Sequence, residues 1–413
     1  MTLPLRRVVF WAHLIAGVTA AVVILLMSVT GVLLAYEKQM IRWADGHHAP
    51  PASPGQARLS LEDIVERARA ARPEPAPATV LVRREAAAPV EVSYGREGSL
   101  FLNAYTGEVL GSGSARTRAF FRATMEWHRW LAMKDGNRAL GKQITGVSNL
   151  VFLFIVVSGF YLWWPRTWRW SQFRQVLLFR RGLGGKARDF NWHHVIGYWS
   201  LVPLAVIVWS GVVIGYPWAS DLTYRMVGET PPAAPARPAG GAAGRAEGGP
   251  KAGTAREAVA GPANASGSTR TDASARRPYQ PLGVLMAKAQ QQASDWTILS
   301  LRVPSPRDPS VQFTVDTGTG AQPQKKGTLV LDRVSGDATR WEPFEAQSPG
   351  RQWRSWMRFV HTGEYYGLVG QTIAMVVTAG SVVLVWTGLA LTWRRFVAWR
   401  RRSSPGQHVR NAA

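Results

Sequence analysis

The residues best suited to chemistry in this chain are histidines that stand at the ends of long apolar segments. Five of the eight histidines have this position: His13, His128, His193, His194 and His361. An ionisable side chain in or beside a membrane is costly, so such a residue usually has a function. The alternative is a histidine that only hydrogen-bonds a neighbouring helix. The remaining three, His47, His48 and His408, lie in proline-rich or polar sequence, which favours solvent exposure.

The spacing around these histidines repeats along the chain. One set of landmarks is His13, Gly17, Thr30, Gly31 and Tyr36, and a second set lies 180 residues later: His193, Gly197, Ser210, Gly211 and Tyr216. In the other two apolar segments, Gly141 and Gly159 are 18 residues apart, as are Gly370 and Gly388. We interpret this as a helix–module–helix unit present twice, with a pseudo-two-fold axis along the membrane normal.

The ligand chemistry of the four repeated histidines favours haem. The chain has no cysteine, which excludes disulfides, iron–sulfur clusters and covalently attached c-type haem. Two imidazoles on opposite sides satisfy the axial positions of a haem iron, whereas zinc or copper sites need three or four converging ligands. We therefore predict an inner pair, His13 and His193, and an outer pair, His128 and His361, with His194 as the alternate inner ligand.

A hydroxyl–glycine pair follows toward the end of each apolar segment. The four pairs are Thr30–Gly31, Ser158–Gly159, Ser210–Gly211 and Thr387–Gly388. Each pair either contacts the haem bound between neighbouring helices, or its hydroxyl bonds back to the preceding helical turn. Gly17 and Gly197 likewise either leave room for a porphyrin or allow close helix packing.

Four apolar segments are long enough for helices that cross about 30 Å of hydrocarbon. They are roughly Val8–Tyr36, Gln143–Trp164, His194–Tyr216 and Val369–Trp393. The first is too long for a signal-peptide core, so we expect it to be retained. Arginine and lysine are concentrated before the first segment, between the second and third, and after the fourth. This distribution predicts cytoplasmic termini and two periplasmic loops in a bacterial inner membrane.

The formal net charge of +23 raises the question of a nucleic-acid partner. The basic residues flank the apolar segments, however, and no nucleic-acid-binding motif is present. We therefore predict contact with the lipid bilayer and no nucleic acid.

Each long loop has the pattern of a small α+β module. In the first loop, the pattern predicts a helix at Leu59–Ala71 and strands at Thr79–Arg83, Val90–Tyr94 and Ser99–Asn103. The second predicts a helix at Leu282–Gln292 and strands at Thr297–Val303, Val311–Val315 and Thr328–Leu331. Between them, Thr230–Arg277 is rich in Pro, Ala, Gly and Arg, which predicts a disordered linker.

The motifs around the histidines resemble those of the PepSY-associated transmembrane family, also described as iron-regulated membrane proteins. They are HLIAG with SVTG, WHRWL, NWHHVIG with VWSG, and VHTGEYYG followed by VWTGLALTW; NAYTGEVL at Asn103–Leu110 resembles a PepSY domain. The ferrisiderophore reductases of this family carry two b-type haems in a four-helix core and pass electrons to periplasmic ferric siderophores. The resemblance implies non-covalent haem on His13, His128, His193 and His361. The linker departs from the family pattern.

We thus predict an α-helical polytopic membrane protein, a four-helix core with two periplasmic PepSY-like modules. Its expected function is that of a membrane-bound oxidoreductase that reduces ferric siderophore and releases iron. The electron donor, cytoplasmic or quinol, is open because no flavodoxin-like or nicotinamide-binding domain is fused. The alternatives are a haem-free binding or regulatory protein and a quinol-linked cytochrome b. The predicted segments are helix 1–40, module 41–127, helix 128–165, basic loop 166–192, helix 193–218, linker segment 219–278, module 279–356, helix 357–395 and basic tail 396–413.

Overall fold

A computed structural model describes residues 3–46, 53, 55–164, 170–232 and 278–402 of the 413-residue chain. His47, His48 and His408 lie outside the described residues. So does the linker predicted at Thr230–Arg277, apart from its first three residues.

The described residues form eleven α-helices and one antiparallel sheet of eight strands. The helices are α1 (Leu3–Leu34), α2 (Glu37–Asp45), α3 (Leu61–Ala71), α4 (Ala115–Trp130), α5 (Arg138–Trp163), α6 (Trp170–Leu177), α7 (Gly185–Gly215), α8 (Pro217–Arg225), α9 (Leu282–Gln292), α10 (Pro349–His361) and α11 (Gly367–Arg402). The strands are β1 (Thr79–Arg83), β2 (Val90–Ser93), β3 (Ser99–Leu102), β4 (Val109–Gly111), β5 (Ile298–Arg302), β6 (Ser310–Asp316), β7 (Lys326–Asp332) and β8 (Ala338–Pro343).

Four helices in the described part of the chain are long and apolar enough to cross a membrane, which confirms the four predicted spans. They comprise Leu5–Leu34, Asp135–Trp163, Gly185–Gly215 and Glu364–Arg402. The helical backbone extends beyond the apolar segments, because hydropathy marks the part that faces lipid and not the point where hydrogen bonding begins. In particular, α7 starts eight residues before His193, so this histidine lies inside a helix and not at its beginning.

The four spans pack in a closed ring. Helix α1 packs against α5 and α11, and α7 packs against the same two helices, so α1 and α7 occupy diagonal positions. The histidines lie at two levels of the bundle, one toward each end of the spans. Between these levels, α5, α7 and α11 form an apolar cluster of Val156, Leu204, Val208 and Val377. Histidines on α1 and α7 therefore face each other across the bundle.

The two extramembrane modules join in one sheet with the order β4-β3-β2-β1-β5-β6-β7-β8. The six predicted strands and two predicted helices are present, and Ser60 accepts from the Asp63 amide as an N-cap should. The sequence analysis missed β4, β8 and the continuity of the sheet. At its centre β1 pairs with β5, so Val80 lies opposite Leu301. Alternate residues of β1, β2, β6 and β7 are buried, in a core that also includes residues of α3 and α9.

His128 and His361 do not begin membrane spans, which corrects the predicted boundaries at 128 and 357. His128 lies in the last turn of α4, and α10 ends at His361. Each short helix turns sharply into its span, α5 or α11. Glycine makes both corners possible, because a Cβ at Gly141 would lie 2.1 Å from the Trp130 carbonyl oxygen and one at Gly370 would lie 2.3 Å from the Gly363 carbonyl oxygen.

Candidate haem-binding sites

Each of the four repeated histidines bonds through Nδ1 to one of the four hydroxyl–glycine pairs. The distances are 2.9 Å from His13 to Ser158, 2.9 Å from His128 to Thr30, 3.0 Å from His193 to Thr387 and 3.1 Å from His361 to Ser210. The hydroxyl lies in every case on a neighbouring helix of the same half of the chain. Each imidazole is thus held at its Nδ1 atom by a neighbouring span.

The hydrogen bonds of the hydroxyls determine which ring nitrogen carries the proton. Each hydroxyl donates to carbonyls of its own helix, as Thr30 does to Leu26 and Thr387 to Val383. It must therefore accept from the imidazole, whose Nδ1 carries the hydrogen. His361 Nδ1 also lies 2.9 Å from the Ile207 carbonyl oxygen, which can only accept. A neutral imidazole protonated on Nδ1 has its lone pair on Nε2, the form that ligates a metal.

The glycine of each pair lies beside the same imidazole, so no side chain stands between the ring and the helix backbone there. A Cβ added there would meet Cε1 of the same histidine that the neighbouring hydroxyl binds. The separations are 3.5 Å for Gly31 and His128, 3.4 Å for Gly159 and His13, 3.3 Å for Gly211 and His361, and 3.6 Å for Gly388 and His193. The back-bond interpretation of the hydroxyls is confirmed. Their contact with the histidines was not foreseen, because sequence spacing alone does not show which helices touch.

The outer pair has the separation that one shared metal requires. The ring centres of His128 and His361 are 6.4 Å apart, with their planes at 63°. Bonds from a metal to imidazole nitrogen are about 2 Å long, which places two opposite rings about 6 Å apart between centres. With Nδ1 of both rings bonded to the protein, the two Nε2 atoms remain as candidate ligands for one metal, such as the iron of a haem.

The two histidines of the inner pair lie on the diagonal helices. His193 on α7 is close enough to His13 on α1, and to His194, for their charges to interact. His194 differs from the other four, because its Nδ1 bonds to the Phe190 carbonyl of its own helix at 2.9 Å and its ring lies 4.0 Å from that of Phe190. It has no hydroxyl–glycine partner, so the geometry favours His193 over His194 as the inner ligand.

A buried carboxylate near the inner pair escaped the sequence analysis. Asp189 is 2% exposed and pairs with Arg188 at 2.9 Å and with Arg394 of α11 at 3.3 Å. It therefore joins the first turns of α7 to the end of α11. Its signal in the sequence was a lone acidic residue in an otherwise basic segment, four residues before His193.

Within the described ranges, no three His, Cys, Asp or Glu side chains gather as a metal-binding group. Among curated proteins, none matches this sequence. The model of the PepSY-associated TM region matches residues 10–395, which include the second and third spans, most of the first and fourth, and all four paired histidines. Because this match covers most of the chain, the protein belongs to the PepSY-associated transmembrane family.

Proposed function

We propose that this membrane protein binds two b-type haems and carries electrons through the bilayer to ferric siderophore. The observation that supports it best is the outer pair, where two Nδ1-anchored imidazoles lie 6.4 Å apart between ring centres. The same anchoring of His13 and His193 supports a second haem at the other level of the bundle.

In this proposal the chain supplies ligation, orientation and exclusion of water. His13 and His193 would ligate one haem iron through Nε2, and His128 and His361 would ligate the other. The hydroxyl partners hold each ring in its orientation and keep its proton on Nδ1. When bound, haem supplies one-electron transfer, with a potential set by its axial ligands and its burial.

The proposed direction of transfer follows from the distribution of charge. Basic residues at the His13 and His193 level support a cytoplasmic position for that level, with the eight-stranded sheet in the periplasm of a bacterial inner membrane. The recurring element order, helix–module–helix, supports a duplicated architecture with one ligand of each pair from each half.

The net reaction transfers one electron from a cytoplasmic reductant or a quinol to each ferric ion of the chelate. The ferrous product is bound more weakly by hard oxygen ligands, so reduction releases the iron. A quinol would give up two electrons and two protons and so reduce two ferric ions, and the chelator oxygens freed from iron take up protons from water. The protein is then a membrane-bound oxidoreductase whose cargo is iron.

The test is optical. We expect purified protein from haem-replete cells to be red, with the bands of six-coordinate low-spin haem. After reduction with dithionite and removal of the excess, addition of a ferric siderophore should reoxidise it, and a gallium siderophore should not.

The rival functions give different results. A colourless preparation would contradict the proposal and favour a haem-free binding protein. If the protein is red, is reduced by quinol and is not reoxidised by ferric siderophore, the result favours a quinol-linked cytochrome b.

A further inference from the structure

Three arginines lie on or next to the helices that carry the outer pair. Arg129 follows His128 directly, and Arg358 precedes His361 by three residues, on the same face of α10. Arg138, at the start of α5, is the third. Among the described residues, none of the three forms an ion pair with Asp or Glu.

The backbone and an indole ring fix two of these arginines. The guanidinium carbons of Arg129 and Arg138 lie 4.6 Å and 3.7 Å from the centre of the Trp130 ring. The hydroxyl of Thr145 donates to the Arg129 carbonyl at 2.9 Å, and Gly141 lets the corner close against Trp130. Both charges are therefore held at the α4–α5 corner, beside His128.

This concentration of like charge differs from other basic sites near the bundle. Arg118 forms a bidentate pair with Asp45, and Lys38 lies 2.8 Å from Glu364. Arg129 and Arg138, by contrast, both lie over the Trp130 ring and lack an acidic partner among the described residues. A concentration of positive charge of this kind attracts anions.

We propose that Arg129, Arg138 and Arg358 bind carboxylate groups at the outer pair. Guanidinium binds carboxylate through two parallel hydrogen bonds, and these charge-assisted bonds are stronger than neutral ones. The carboxylates belong either to the propionates of the outer haem or to an anionic ferric chelate docked beside it. The inference rests on the proposed function and adds the residues that recognise the anion.

The first experiment separates carboxylate recognition from a structural role of the Arg–Trp stack. Full-length protein with His193→Ala, in which only the outer pair remains complete, is prepared haem-free and titrated with haemin and with haemin dimethyl ester, which lacks carboxylates. If the arginines bind propionates, Arg129→Gln should weaken haemin binding by about tenfold or more and leave binding of the ester unchanged. Arg122→Gln, an exposed arginine on the same helix, is the control.

The second experiment tests the chelate as the source of the carboxylates. If haemin binding is unchanged in Arg129→Gln, the KM for ferric citrate should rise about tenfold while the KM for a neutral hydroxamate chelate stays constant. Arg358→Gln, a change at an exposed side chain, repeats both measurements in case Arg129→Gln unfolds the corner.

The outcomes also separate this inference from the proposed function. Equal loss of haemin and ester binding, or no effect in either experiment, would overturn carboxylate recognition while the haem protein stands. Failure of the unmodified protein to bind haemin would overturn the proposed function, and the inference with it.

Discussion

The inner and outer pairs use the same hydroxyl–glycine contact but place their histidines on different kinds of helix. His13 and His193 lie within the spans α1 and α7, which continue past them on both sides. His128 and His361 lie at the ends of the short helices α4 and α10, which pack against α1 and α7. The inner site thus depends on packing of the spans alone, whereas the outer site also depends on how the short helices are held.

The extramembrane part contributes to that second requirement. Glu229 accepts hydrogen bonds from the Ser348 hydroxyl at 2.8 Å and the Gly350 amide at 3.0 Å, which fixes the start of α10. Gln324, next to β7, donates to the Tyr365 carbonyl at 2.6 Å, beyond the end of the same helix. It should therefore be possible to find substitutions that damage the outer site and leave the inner site intact.

The largest expected effect is loss of one of two haems when a ligand is removed. His13→Ala or His193→Ala should abolish the inner haem, and His128→Ala or His361→Ala the outer haem, because one axial imidazole is then missing. Haem content per polypeptide should fall to about half that of the unmodified protein. The remaining spectrum should be identical within each pair of variants. Loss of both haems in every variant would contradict independent sites.

A smaller and one-sided effect is expected at the corner glycines. A methyl group in Gly141→Ala or Gly370→Ala would meet a backbone carbonyl oxygen at 2.1 or 2.3 Å, so the corner must shift at a cost of about 1–3 kcal/mol. Haem occupancy at the outer pair should fall while the inner haem is retained, as measured by haem content and spectra.

The control for the corner variants is Gly215→Ala, at the end of α7. A Cβ at Gly215 meets nothing within 4 Å, so it should leave both haems in place. If this control loses as much haem as Gly141→Ala does, the loss does not depend on the close contact at the corner.

Removal of a hydroxyl should weaken either site without destroying it. Thr387→Val and Thr30→Val keep the side-chain volume but remove an acceptor 3.0 or 2.9 Å from Nδ1. Outer-shell partners of this kind change metal affinity by roughly 10- to 100-fold. We expect a value near the lower limit because a backbone carbonyl near each ring remains as an acceptor. Competition for haem with apomyoglobin measures the change.

The smallest effect is expected from His194→Ala. His194 bonds to its own helix and has no hydroxyl–glycine partner, so both haems should remain at normal content with unchanged bands. If this variant loses the inner haem and His193→Ala keeps it, the assignment of the inner ligand is reversed.

Several features of the fold and site followed from sequence because they depend on local pattern. The length of the apolar segments predicted the spans, and the alternation of apolar and polar residues predicted strands such as Thr79–Arg83. The repeated spacing indicated the four histidines. What escaped prediction depends on contacts between distant segments. The pairing of Val80 with Leu301 joins residues 221 positions apart, and no local signal specifies it. The separate helices α4 and α10 escaped because the predicted spans began at 128 and 357, whereas residues 131–137 separate α4 from α5 and residues 362–366 separate α10 from α11.

The pairing of β1 with β5 has a mechanical consequence. Because both modules share one ladder of backbone hydrogen bonds, a partner bound at either edge of the sheet acts on the attachments of α4 and α10 together. If the protein carries haem as we propose, such a partner would act on both ligands of the outer pair at once, whereas the inner pair lies within the spans.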